Sequence, residues 1–158
     1  MPRPISISGH GPLAATNERL LGAVARYLGA FTLLGVGIVH IEQFYVDSYR
    51  AVPTIGTLFA INFASATLVA AGLVTPLGDL NARWANRLRS AFAISGIGIS
   101  TGSLAGLLVS EHGGVFGFRE IGYSTPALAS IALEAAAAVL LTLFLIMTTI
   151  RTRRTTAT

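Results

Sequence analysis

The segment PTIGTLFAINFASATLVAAGLVT (Pro53–Thr75) runs for 23 residues without a charged side chain, opens on a proline, and is followed by Pro76 and Gly78. Proline at a first helical position and a Pro/Gly stop beyond the last one bracket a helix. At about 1.5 Å per residue, some 20 apolar residues cross a hydrocarbon core of about 30 Å. This segment therefore reads as a membrane span, and the rest of the chain is read outward from it.

On its N-terminal side stands HIEQFYVDSYR (His40–Arg50), which gathers one of the three histidines, two of the seven carboxylates, two of the four tyrosines and an arginine. It follows a second apolar stretch, Tyr27–Ile41, which Thr16 or Asn17 can cap and Arg26 can anchor by snorkelling to the headgroups. On its C-terminal side, Gly78–Arg89 sets Arg83, Arg87 and Arg89 beside Trp84, an interfacial combination of cation and indole. A third apolar segment, Ser90–Ser110, leads to a glycine- and aromatic-rich loop, Glu111–Thr125, and Pro126 starts a fourth that reaches Ile150.

The sequence thus predicts an all-α integral membrane bundle of four transmembrane helices at about 20–46, 53–75, 90–110 and 126–150. Residues 1–17, rich in proline and glycine, read as a disordered tail, 18–150 as the membrane domain and 151–158 as a basic tail. Composition agrees: 53% of residues are hydrophobic and only 11% charged, about half the charge of a soluble domain. Nine arginines (3, 19, 26, 83, 87, 89, 151, 153 and 154) fall on one side, against Arg50 and Arg119 on the other. By the positive-inside rule both termini are cytoplasmic, in the plasma (inner) membrane. The basic pI belongs to this topology and not to one basic face, so no nucleic-acid partner is expected. Without cysteine there is no disulfide, thiolate metal site or dithiol redox pair.

In lipid, helices pack where small residues let backbones approach. Gly98, Gly102 and Gly106 recur every fourth residue, with Ser110 continuing the row and Ser95, Gly96 and Ser103 widening it. The row predicts either packing within the bundle or a self-association seam. The second helix offers Gly56, Ala60 and Ala64 for the same purpose, and the fourth offers Ser130 and Ala138.

Glu134 lies eight residues past Pro126, about 12 Å down its helix, where a carboxylate must face the interior and find a partner. Asn62 reaches a similar depth on the second helix, and His40 occupies the outer third of the first. These three form the candidate site. Above them Tyr45, Tyr49, Arg50, Arg119 and Glu120 are candidate ligand- or partner-binding residues, with ion pairs expected between Arg119 and Asp47 or Glu42, and between Arg50 and Glu120. His40, His112, Glu111 and Glu134 are the candidate metal ligands by donor chemistry, although no HxxxH or ExxH pair is present. The sequence identifies no particular cofactor.

Two stretches, Tyr49–Phe59 followed by Asn62, and Val115–Glu120, resemble small four-helix membrane proteins of high-GC actinobacteria that have no assigned function. The resemblance spans about Leu20–Ile150; it implies the four-helix topology and such a source, but no reaction. The topology is also similar to that of DoxX-like proteins. The functional expectation is a non-catalytic membrane subunit or binding protein, whose outward-facing polar pocket meets other subunits, a second copy, or a lipid-like or quinone-like molecule. The alternatives are a redox or metal-dependent membrane enzyme using His40 and Glu134, and a proton-coupled transporter with Glu134 as carrier.

Overall fold

A computed structural model describes residues 12–119, 122 and 124–156. It is all-helical, with α1 (Pro12–Tyr45), α2 (Pro53–Val74), α3 (Ala82–Gly113) and α4 (Thr125–Thr156), and one 3-10 turn at Tyr49–Ala51. All four helices are long and apolar enough to cross a membrane. They form a ring in which α1 packs along both α2 and α4, while α3 closes the circle against α4 and, less extensively, α2. The start of α1, the start of α3 and the end of α4 meet at one end of the bundle.

Three helices outrun their expected bounds for local reasons. α1 begins at Pro12, so residues 12–17 are helical where the proline content suggested a tail; proline is compatible with a first turn, whose N–H groups have no helical acceptor. Residues 1–11 of that tail lie outside the described residues. α3 begins at Ala82 and not at Ser90, because the Asn81 side chain caps it, accepting from Arg83 N at 2.8 Å. At its far end Gly114, with φ 76°, takes the position beyond the helix and donates its N–H to Ser110 O at 3.1 Å. α4 runs on through Thr156, carrying Arg151 in a closing section where cations favour the helix dipole.

Toward the end where α1 starts and α4 finishes the helices are close-packed. Leu33, Leu73, Leu141, Ala66, Ala93 and Ala137 are fully buried there. Gly96 is what lets α3 approach: a Cβ at this position would stand 2.6 Å from Leu141 and 3.1 Å from Leu33. Gly72 does the same for α2, its missing side chain being replaced by the ring of Phe92, 2.5 Å from where a Cβ would be.

The other half is built differently. A Cβ on Gly98, Gly102 or Gly106 would meet nothing within 4 Å, and all three glycines are exposed. Packing of this row within the bundle is therefore corrected: in the chain these glycines meet no neighbouring helix and form one wall of a cavity. Of the row proposed for α2, only Gly56 is buried, with a would-be Cβ 2.7 Å from Tyr49 O; Ala60 and Ala64 border a surface groove. On α4 the buried alanines are Ala127 and Ala137, with Ala138 only partly covered.

Candidate functional site

The cavity occupies the bundle interior at the end where α1 finishes and α4 starts, and measures about 370 Å³. Its wall is mostly apolar, with Ile55, Leu58, Phe59 and Ile61 from α2 facing Ile99, Leu107 and the three glycines of α3. Toward the loops it is capped by aromatics. Tyr49 stacks on Phe59 at 4.8 Å between centroids and 14° between planes, and Phe118 meets Tyr49 edge-on at 5.5 Å. Phe118 is held there by a two-residue turn: Val115 and Phe118 exchange backbone hydrogen bonds of 2.7 and 2.9 Å, while Phe116 and Gly117 both take positive φ. This is the geometry of a type I′ turn. The side between α2 and α3 is open, since Leu58, Ile61 and the glycines all retain exposed surface.

Polar groups from α1, α3 and α4 meet in this mostly apolar wall. His40 and Glu134, 5% and 1% exposed, face each other from α1 and α4 with Nε2 and Oε1 3.6 Å apart. That is close enough for ion pairing but too long for a direct hydrogen bond. Ser130, one turn before Glu134, donates to Oε1 at 3.2 Å, and Ser103 on α3 meets His40 Nε2 at 3.1 Å. His40 Nδ1 lies 2.9 Å from Val36 O. A carbonyl only accepts, so Nδ1 carries the hydrogen and, in the neutral ring, Nε2 presents its lone pair to the Ser103 hydroxyl. With a second proton on the ring, Nε2–H instead points at Ser103 Oγ and the Glu134 carboxylate. Phe59 lies against His40 at 5.0 Å between ring centroids.

Asn62 completes the group. It lines the same cavity, and its Oδ1 is buried with no hydrogen-bond partner. A buried carbonyl without a donor costs about 1–3 kcal/mol, so this one is either filled by something that enters the cavity or maintained at that cost.

His40, Asn62 and Glu134 thus share one site, as their depth suggested, and Tyr49 belongs to its cap. The other outer-loop candidates do not line it. Tyr45 is 59% exposed with its ring edge-on to Phe44, Arg50 borders the outer groove, and Arg119 donates Nε to Glu111 O at 3.3 Å. Among the described residues Arg119 pairs with neither Asp47 nor Glu42, while Glu120 lies outside the described residues. The four metal candidates are not brought together. His112 is exposed and bonded through Nδ1 to Leu108 O at 2.9 Å, and no group of three or more His, Asp or Glu that could hold a metal occurs among the described residues. Ser103 and Ser130 act as hydrogen-bonding partners of His40 and Glu134, where the sequence suggested only small packing residues. The signal for Ser130 was its i, i+4 spacing from Glu134. Ser103 had no local signal.

No protein-family model, curated protein or solved structure matches the chain.

Proposed function

We propose that the chain is a non-catalytic membrane binding protein that holds a quinone-like or lipid-like molecule in this cavity. The cavity faces outward from a plasma membrane in which both termini are cytoplasmic, an orientation supported by the nine-to-two division of the arginines. The observation that carries the reading is a 370 Å³ mostly apolar cavity lined by a few hydrogen-bonding groups, among them His40, Gln43, Glu134 and an unpartnered Asn62 Oδ1. Small-molecule sites have this composition and this range of sizes.

The details narrow the ligand. Asn62 Oδ1 needs a donor, and the pair of His40 and Glu134 can take or give a proton, so a hydroxyl-bearing head such as a quinol or a lipid alcohol suits the cluster. The aromatic cap covers the water-facing end, while the gap between α2 and α3 opens sideways. A hydrophobic molecule enters from the bilayer by that route, its tail left in the gap beside the glycines. In this reading the chain is a subunit of a larger membrane complex to which the bound molecule is delivered.

The test is thermal unfolding of the purified protein in mild detergent with a short-chain quinol or a monoacylglycerol. A ligand that binds only the folded state stabilises it by about 2.7 kcal/mol at one hundred times its Kd. We expect at least one of these probes to raise the unfolding temperature, and Gly102→Leu, which fills the open wall, to abolish the rise. Absence of any shift, or an undiminished shift in Gly102→Leu, removes the reading.

A further inference from the structure

A second cavity, of about 190 Å³, lies at the opposite end of the bundle, where α1, α3 and α4 meet. It is far larger than the roughly 15 Å³ that one ordered water needs. Four arginines line it, Arg19 and Arg26 from α1, Arg89 from α3 and Arg151 from α4, against the single carboxylate of Glu18. Three positive charges are therefore in excess around one small space.

Arg26 is the decisive residue. It is only 9% exposed, and although its guanidinium lies 4.4 Å from the Tyr27 ring centroid, its Nη1 is buried with no hydrogen-bond partner. Arg89, half-buried across the cavity, likewise has Nε buried and unpartnered. Two guanidiniums on one cavity, each with a buried and unused N–H, are costly to keep without an acceptor, and the excess of positive charge makes that acceptor an anion. Snorkelling alone does not account for the arrangement, because a snorkelling arginine keeps its head in water.

We propose that this cavity is a phosphate site, occupied by the headgroup phosphate of an anionic lipid in the adjoining leaflet or by free phosphate. Guanidinium forks match phosphate oxygens in planar, paired hydrogen bonds, and Asn86 on the same wall adds an uncharged donor. Basic pockets between helices on the cytoplasmic side are where anionic headgroups collect in membrane proteins. The site is separate from the ligand cavity and does not depend on what that cavity holds.

The experiment measures unfolding temperature of the full chain in neutral detergent, with inorganic phosphate or with phosphatidylglycerol. Chloride at equal ionic strength and phosphatidylcholine are the respective controls. A rise with phosphatidylglycerol alone assigns the site to a lipid, and a rise with phosphate as well admits the free ion. Arg26→Gln and Arg89→Gln should each weaken the response about tenfold or more, the loss of a charged hydrogen bond. Arg83→Gln, exposed and outside the cavity, should respond as the unaltered chain does. Arg89→Gln touches a half-buried side chain, so the test stands even if Arg26→Gln fails to fold. No rise with either anion beyond its control, or full responses from the Arg26 and Arg89 variants, overturns the proposal.

Discussion

Gly96 and Gly98 lie two residues apart on α3 and have opposite surroundings. Gly96 is pressed against Leu141 and Leu33, whereas Gly98 begins a row of three glycines that face nothing. The same contrast separates the two halves of the molecule. Below, Phe92 fills the place of a Gly72 side chain and holds α2 close to α3; above, the two helices part around the cavity. Small residues permit close approach, but a neighbouring helix must descend to make use of them. Here α2 diverges, and the bare backbone becomes the wall of a pocket.

Substitutions on the two sides of this divide should behave oppositely. The largest effect is expected at Gly96→Leu, whose side chain must displace Leu141 and Leu33; overpacking of this kind costs about 1–3 kcal/mol. Chemical or thermal unfolding in detergent measures it, and a stable variant would mean that the closed half is not close-packed. Asn62→Leu should act the other way on stability, raising it by about 1 kcal/mol by removing a buried carbonyl without a donor, while the response to quinol or monoacylglycerol falls. A loss of stability instead would mark Asn62 as a structural residue. The smallest effect is expected at Gly98→Ala, which meets no neighbour and should gain about 0.5–1 kcal/mol from helix propensity. If it destabilises as Gly96→Leu does, α3 is packed along its whole length and the open half does not exist.

How far the site could be seen in advance depended on the cost of each group in hydrocarbon. Glu134, His40 and Asn62 were legible because a charged or amide side chain at their depth has few places to go except the interior. Ser130 and Ser103 were not, because a serine satisfies itself on its own helix as easily as it helps a neighbour, and its size makes it look like packing. Tyr45 and Arg50 share the polar stretch His40–Arg50 with the site, yet the end of α1 and the turn after it send both outward, and of these candidates only Tyr49 returns to the cap. The early start of α3 was hidden by its arginines, which looked like a loop although Asn81 supplies a cap and Ala82–Arg89 is built largely from good helix formers.

The sequence by itself determined that there are four long apolar helices, where prolines open two of them, and which polar residues had to turn inward. Those outcomes follow from the length of each apolar run, the missing N–H of proline and the price of charge in lipid, all properties of the local chain. Only the tertiary structure decided that the Gly98, Gly102 and Gly106 row is a cavity wall, that Ser103 reaches His40, and that Arg26 and Arg89 share one space with two further arginines. Each of these depends on how far apart two helices stand at a given height, and that spacing is set by residues elsewhere, such as Phe92 on Gly72 and Leu141 on Gly96.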